Sequence, residues 1–265
     1  MKMRQLTILA ALLAAGIWGA AAPVEAAKPA APKEPAISAE ARAAVEHLGQ
    51  TLSAQQFSFR VQTIRVYADA SGQPLHIYHD SEVTVRRPDR LLATRTGDDG
   101  SSKILYDGKT LVVYVADANK YASIPVPGTI EGMLKEATGR FGIDFPLADF
   151  LTDEPGKAIL SGVTSGRVIN TVTIDGTPCL HLFFSQPPGI ELELWLEKND
   201  KALPRRLIVT YRALPGQPNF IAGFSKWDFS IHPTDAEFVF QPPAGATQIA
   251  LKPAAAPAKA RKGKQ

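Results

Sequence analysis

The chain of 265 residues carries a formal net charge of +3 and is 45% hydrophobic and 8% aromatic. This composition is typical of a globular protein of one or two domains and excludes a chain that is disordered throughout. Five basic residues and no acidic residue lie in the segment 252–265. The basicity therefore belongs to the tail, which argues against nucleic acid as a partner. The single cysteine, Cys179, excludes an internal disulfide bond.

The first residues are typical of a secretory signal peptide. Lys2 and Arg4 form a basic start, an uncharged apolar run follows, and small residues precede the predicted cleavage site after Ala26. An uncleaved membrane anchor is the alternative, but the apolar run is short for a bilayer-spanning helix. Residues 1–26 are therefore predicted to be a cleaved signal peptide, and the protein is predicted to be periplasmic.

Two low-complexity segments flank the body of the chain. Residues 27–37 are predicted to form a disordered Ala/Pro linker and residues 252–265 a disordered basic tail, because neither can bury enough apolar surface to offset chain entropy. The tail is either a solvated spacer or a peripheral contact with an anionic membrane surface or glycan. The folded domain is predicted to span residues 38–251.

The first element of the body is predicted to be an amphipathic helix. Ser38 is a suitable N-cap. Apolar residues then recur at helical spacing and form one stripe that should pack on a flat partner. The stripe contains Ala41, Ala44, Val45, Leu48 and Leu52.

A series of strands follows this helix. Alternating β-branched and aromatic residues predict strands over 57–70, 75–87, 89–97, 103–115 and 121–127, the fourth of these ranges being a pair of strands. Asp107-Gly108 lies inside that range and predicts a tight hairpin turn there.

The periodicity then changes and predicts a two-helix lid. Thr129 is a candidate cap for a helix with apolar residues at helical spacing, and Asp144 is a candidate cap for a second short helix over 144–153. Pro146 falls in the first turn of that second helix, where proline is tolerated.

Strands resume after the lid and continue to the end of the body. They are predicted over 167–174, 177–185, 189–200, 201–213 and 219–231, with a short last strand over 237–240. Asp175-Gly176 predicts a second hairpin turn. The predicted fold class is α+β, with a curved antiparallel sheet of about ten strands that forms a half-open β-barrel. An N-terminal helix and the two-helix lid cap this barrel.

One pair of residues is a candidate for chemistry. Cys179 and His181 lie two apart on a strand and point to the same side. They are suitable ligands for zinc or copper and suitable as a nucleophile and base, but no further ligand or orienting group is apparent. A buried core thiol beside a hydrogen-bonded histidine is the favoured interpretation. No catalytic residue, metal or cofactor is predicted, and the protein is not predicted to be an enzyme.

The lid has an apolar side that allows two interpretations. Its residues either plug the sheet or line a cavity for an apolar ligand, since binding cavities are concave and mostly apolar. On the second interpretation, lid residues and two inward residues of a later strand are predicted to bind the ligand. These are Met133, Leu134, Phe141, Phe145, Phe150, Leu192 and Leu194.

Six segments of the body carry a family resemblance, among them "FGIDFPLADFL", "IDGTPCLHLFF", "ELWLEKNDKALPRRLIVTY" and "FVFQPPAGA". They closely resemble DUF2092, a family of predicted periplasmic proteins, from about the first helix to Ala246. In that pattern an acidic residue is expected between the cysteine and the histidine, where this chain has Leu180.

The chain also looks like a member of the lipoprotein-carrier-like (LolA/LolB-like) superfamily. That resemblance implies a half-open antiparallel barrel capped by helices, and superfamily members bind or sense the acyl chains of lipoproteins. The arginine that latches the lid in the carriers has two candidate positions here, Arg60 and Arg65.

Three functional hypotheses follow from these observations. The favoured one is a periplasmic carrier or sensor that binds a lipid or lipoprotein acyl chain between sheet and lid. The second is a non-enzymatic scaffold that binds another envelope protein. The third is a metal or thiol protein that uses Cys179 and His181.

Overall fold

The computed structural model describes residues 36–69, 71–126, 128–143 and 145–253 of the chain. The predicted signal peptide, most of the predicted linker and most of the predicted basic tail lie outside these residues, as does the predicted cap Asp144. Within the described part of the chain, no helix is long and apolar enough to cross a bilayer.

Among the described residues, twelve strands form one curved, unclosed sheet, which confirms the predicted fold class of a half-open antiparallel sheet of about ten strands. The first six strands are β1 (Gln56–Ala68), β2 (Pro74–Arg86), β3 (Arg90–Gly97), β4 (Gly100–Tyr106), β5 (Thr110–Val115) and β6 (Lys120–Pro125). The other six are β7 (Ser165–Ile174), β8 (Thr177–Gln186), β9 (Ile190–Glu197), β10 (Pro204–Tyr211), β11 (Asn219–Asp228) and β12 (Thr247–Gln248).

The strand order shows how the two halves of the chain meet. It runs β12-β6-β5-β4-β3-β2-β1-β11-β10-β9-β8-β7. The long strand β1 pairs with β2 on one side and with β11 on the other, so it joins the two hairpin series into a single sheet. Among these twelve strands, β12 pairs parallel to its neighbour β6, and every other pair is antiparallel. Since β12 and β7 are the two ends of this order, the barrel stays half-open.

Both predicted Asp-Gly turns are confirmed. Asp175 and Gly176 connect β7 and β8 with φ angles of 46° and 77°. These left-handed values belong to a tight hairpin turn that Asp-Gly sequences adopt readily. In the β4–β5 turn, the carboxylate of Asp107 accepts hydrogen bonds from the backbone N–H groups of Lys109 and Thr110.

In the described part of the chain, three α-helices accompany the sheet. They are α1 (Ala39–Leu52), α2 (Ile130–Phe141) and α3 (Pro155–Ile159). The Ser38 hydroxyl caps α1 and the Thr129 hydroxyl caps α2, each by accepting a backbone N–H bond from the first turn. Both caps are therefore the ones that the sequence indicates.

Two local elements differ from the sequence prediction. In the described part of the second lid helix, predicted over 144–153, the structure has one 3-10 turn (Ala148–Phe150) flanked by turns and bends, and α3 follows it. The short strand predicted over 237–240 is replaced by a 3-10 turn (Asp235–Phe238), and the last strand comes later, as β12. A capping box between Thr234 and Glu237 favours the turn, because each side chain bonds to the other residue's backbone N–H.

The concave side of the sheet carries the hydrophobic core and is called the inner face below. Helix α1 packs its apolar stripe on that side, with Ala41, Val45, Leu48 and Leu52 fully shielded from solvent and Ala44 partly buried. Helix α3 lies so close to α1 that a methyl group added at Gly49 would come within 2.6 Å of the Gly156 nitrogen. Glycine at both positions therefore allows the two backbones to touch.

Candidate ligand-binding cleft

A cleft of about 420 Å³, called the large cleft below, opens on the inner face of the first five strands. Its floor is formed by β1 to β5 together with Phe220 of β11. The connection between α2 and α3 covers it with Ile143, Phe145, Leu147 and Leu151. The part of this connection formed by residues 143 and 145–151 is called the lid segment.

The floor of the large cleft changes in character from one row of paired residues to the next. Val83, Ala93, Ile104 and Val113 are direct cross-strand partners on β2 to β5 and form an aliphatic row. Two residues further along each strand the same face continues, because side chains alternate. There the row is Ser81, Arg95, Ser102 and Val115. The end of the cleft at the aliphatic row is therefore apolar. The opposite end, which contains Ser81, Arg95 and Ser102, is called the polar end below.

The polar end contains a short chain of charged groups. His79 Nε2 lies 2.7 Å from Asp99 Oδ1, and Arg95 Nη2 lies 3.5 Å from the same oxygen. Burial acts to raise the pKa of Asp99, but the bond to His79 and the charge of Arg95 outweigh it, so that the pKa lies below its usual value. Asp99 is therefore a carboxylate at neutral pH.

A second arginine lies at the same end. The guanidinium carbon of Arg65 is 5.7 Å from the ring centre of Phe220 and 5.9 Å from that of Tyr67. Both distances are within the range in which a cation is attracted to an aromatic face. The aromatic rings thus hold a positive charge over the wall of the cleft.

The lid segment separates the large cleft from a second space. A cavity of about 170 Å³ lies on its other side, between the lid segment and β8 to β10. Pro146 borders both spaces. Phe150 turns toward the smaller cavity, and its ring centre lies 5.5 Å from that of Phe224. The lid segment thus separates two spaces of unequal volume on the inner face.

The residues predicted from the sequence as ligand-binding fall into three groups. Phe145 lines the large cleft. Phe150, Leu192 and Leu194 meet at the smaller cavity. Met133 and Leu134 of α2 are core residues with exposed fractions of 0% and 4%, and Phe141 is partly buried against the same core. The lid as a whole therefore both plugs the sheet and lines cavities.

Sequence reasoning missed the polar end of the large cleft. Its residues Arg65, His79, Arg95 and Asp99 come from strands that were interpreted only for their apolar alternation. A signal was available in the pattern itself. Ser81 and Arg95 occupy inward positions of β2 and β3, where a completely filled core would require apolar residues.

The end of the lid segment is tied to the frame by Arg87, which lies just after β2 with a side-chain exposure of 6%. Its Nη1 donates to the Leu151 carbonyl at 2.9 Å and its Nη2 to the Leu52 carbonyl at 3.1 Å. Burial lowers the pKa of Arg87. One cation therefore joins the lid segment, the end of α1 and the β2–β3 connection.

The two arginines that the family resemblance suggests as lid latches lie elsewhere. Arg60 is on the outer face of β1, where it is hydrogen-bonded to Asp80. Arg65 lines the large cleft. The arginine bonded to the backbone of the lid segment is thus Arg87, which sequence comparison with the carriers did not suggest.

Cys179 and His181 lie side by side on the outer face of β8, as their spacing indicates. Cys179 is fully buried, and its Sγ donates a weak bond to the Thr177 carbonyl at 3.4 Å. Burial raises the pKa of the Cys179 thiol. His181 stacks on Trp195 with ring centres 4.2 Å apart, and its Nε2 lies 2.8 Å from Glu193 Oε2. Both residues therefore make structural contacts within the sheet.

The described residues bring no group of three or more His, Cys, Asp or Glu side chains together as ligands for one ion. The absence of a metal remains a prediction.

Several solved structures are similar in backbone structure to this chain at low sequence identity. An uncharacterized conserved protein from Thermus thermophilus is 11% identical, with 80% of this chain and 99% of that chain covered and a TM-score of 0.48. The lipoprotein LppX of Mycobacterium tuberculosis is 17% identical, with coverages of 73% and 97% and a TM-score of 0.46. The LolA superfamily protein NE2245 of Nitrosomonas europaea is 13% identical, with coverages of 74% and 97% and a TM-score of 0.37.

These structural similarities all have TM-scores below 0.5, so the fold assignment rests on the strand order and pairing described above. No curated protein matches the chain. A family model described as predicted periplasmic protein (DUF2092) matches residues 41–252, which include most of α1 and all twelve strands described above. The chain therefore belongs to the DUF2092 family of predicted periplasmic proteins.

Proposed function

We propose that this periplasmic protein binds an apolar ligand, a lipid or a lipoprotein acyl chain, in the large cleft and acts as its carrier or sensor. The observation that carries the proposal is the cleft itself. Its volume of about 420 Å³ falls within the ~300–1,000 Å³ typical of small-molecule sites. Aliphatic side chains form its deep end, and apolar residues of the lid segment lie above it.

The contacts of the cleft support binding without catalysis. A hydrolase would need a nucleophile activated by a base. His79 is bonded to Asp99, but neither Ser81 nor Ser102 makes a side-chain hydrogen bond to His79 among the described residues. The polar groups are therefore arranged as a network of charges and not as a nucleophile with its base. The ligand is expected to leave the cleft chemically unchanged.

The primary test is extraction of the protein purified from periplasm. Organic extracts are analysed by mass spectrometry, and the emptied protein is titrated with a fluorescent fatty-acyl probe. A bound lipid or saturable probe binding is expected. A clean extract together with no probe binding would overturn the proposal.

A cleft-filling substitution locates the site. Ala93 lies in the aliphatic row on the floor, so Ala93→Trp should place an indole where the chain binds and abolish probe binding. Thr94→Trp is the matched control, because the next residue of β3 points to the outer face. Equal probe binding by the two folded variants would refute the assignment of this cleft.

An exposed sheet edge favours a second candidate function, binding of another envelope protein. Strand β7 ends the strand order, and among the described residues its outer edge is paired only where Gly166 bridges Ile37. Unpaired edge strands accept added strands from partners. If the protein has this function, crosslinking in cells followed by purification should recover one partner protein in stoichiometric amount. Recovery of no partner would contradict binding at the β7 edge. The basic tail remains a proposed contact with anionic membrane surfaces.

A further inference from the structure

The polar end of the large cleft carries more charge than a site for a purely apolar ligand would need. Arg95 projects from the cleft floor between Ser81 and Ser102, which are its direct cross-strand partners on β2 and β4. Its side chain is 42% exposed although it faces the cleft. The guanidinium is therefore accessible from within the space that a ligand would occupy.

The hydroxyl groups beside Arg95 are available as donors. Ser81 and Ser102 both line the large cleft. Neither side chain makes a hydrogen bond to another residue in the described part of the protein. A hydroxyl can rotate to donate toward an acceptor beside the guanidinium. Arg95 and the two serines thus form a short row of donors across three strands.

The described residues that line this end carry more positive than negative formal charge. Among the described residues that line the cleft, two carry a guanidinium group, Arg65 and Arg95, and one carries a carboxylate, Asp99. His79 is bonded to Asp99 and adds no negative charge. The formal charges of these lining groups therefore sum to a positive value, which favours an anionic ligand over a cationic one.

We propose that the polar end binds the anionic head group of an amphipathic ligand whose chain lies on the aliphatic row, with Arg95, Ser81 and Ser102 as donors and Arg65 as a second cation. This inference rests on the proposed function, because it requires the chain to occupy the large cleft. Arginine suits the task, since its planar fork of N–H groups matches the two oxygens of a carboxylate or a phosphate. The apolar end binds the hydrocarbon chain of the ligand, and the polar end determines which way the ligand is oriented in the cleft.

The test compares head groups on one chain length. The full-length protein, exported and emptied of lipid, is loaded with a pyrene-labelled fatty acid. Palmitate, hexadecyl phosphate and the uncharged methyl palmitate then compete for the site. We expect palmitate or hexadecyl phosphate to displace the probe at a concentration about tenfold or more below that of methyl palmitate, as a charge-assisted bond predicts. The better of the two anions identifies the head group.

Charge-removing variants assign the effect to residues. Arg95→Gln should lower the affinity for the preferred anion about tenfold and leave the affinity for methyl palmitate unchanged. Arg65→Gln should change these affinities in the same direction. Arg60→Gln is the matched control, because Arg60 comes from the same strand as Arg65 but lies on the outer face. It should leave both affinities unchanged.

The outcomes separate this inference from the proposed function. If all three competitors displace the probe equally and Arg95→Gln alters none of them, the head-group site is refuted while the cleft remains a chain-binding site. If no probe or competitor binds the folded protein, the proposed function fails and the inference fails with it. Circular dichroism of each variant confirms that the comparison is made between folded proteins.

Discussion

Replacing Arg87 with methionine should detach the lid segment from the frame of the protein. The side chain donates to the carbonyl oxygens of Leu151 and Leu52, which lie 64 and 35 residues away in the chain. Methionine keeps the buried methylene stem and removes every donor, so the substitution tests the bonds and not the packing.

The expected cost follows from the contacts of Arg87. Hydrogen bonds from a charged group contribute about 1.5–3 kcal/mol each, and a buried carbonyl left without its donor is costly. Two features of the Arg87 side chain reduce the cost of replacing it. The guanidinium is almost wholly buried, and its Nε lacks a partner among the described residues, so methionine avoids a desolvation cost. We expect a net loss of about 2–4 kcal/mol in the free energy of unfolding.

Urea unfolding followed by tryptophan fluorescence measures this loss, and hydrogen exchange at the Leu151 amide reports local release of the lid segment. Arg87→Lys should fall between the wild type and Arg87→Met, because a single ammonium group is not shaped to hold two carbonyls. Arg140→Met is the control, since that exposed arginine forms an i,i+4 pair with Glu136, worth about 0.3–0.5 kcal/mol, and otherwise lies 5.0 Å from the ring centre of its neighbour Phe141. A loss for Arg87→Met no larger than that of the control would refute the reasoning.

Three further outcomes are expected. Gly49→Ala should destabilise the protein by about 1–3 kcal/mol despite the better helix propensity of alanine, because the new methyl group would meet the backbone of Gly156; an unchanged urea midpoint would contradict the close approach of α1 and α3. The Cys179 thiol, buried and with a raised pKa, should react with a thiol reagent only after denaturation, and Cys179→Ser should leave probe binding intact; rapid labelling of the native protein would revive a thiol-based function. The hydrogen bond from Arg60 holds the pKa of Asp80 below its usual value. This stabilisation is fully present above the unfolded pKa of about 3.9 and disappears as the pH falls through the lower folded pKa. The urea midpoints of wild type and Arg60→Gln should therefore differ at neutral pH and converge in acid, and a constant difference would argue against the ion pair.

The sheet was largely predictable because its signals are local. The alternation of Leu192 and Leu194 with charged neighbours in β9 correctly predicts which side faces inward. The Asp175-Gly176 turn and the Ser38 cap likewise depend on a few adjacent residues. Each of the strands β1 to β11 overlaps a range predicted from the sequence, whereas the two-residue strand β12 was not predicted.

The lid was harder to predict because its conformation depends on distant partners. Residues 144–153 have helical spacing, but the described part forms only one 3-10 turn. Its end is held by Arg87 of the β2–β3 connection, and Phe150 packs on Phe224 of β11. Such tertiary contacts override a weak local propensity. The same contacts decide which lid residues reach a cavity and which are buried in the core.

By itself, the sequence determined the features that neighbouring residues control: the alternation of inward and outward residues, the hairpin turns and the helix caps. The export signal is read from the sequence in the same way and stays a prediction. Only the tertiary structure decided that β1 would pair with β11 and join the two halves of the sheet. It also decided that Arg65, His79, Arg95 and Asp99 would meet at one end of a cleft. The physical reason is that side-chain direction within a strand follows from the local backbone, whereas the curvature of a sheet and the space beneath its lid depend on packing between residues far apart in the chain.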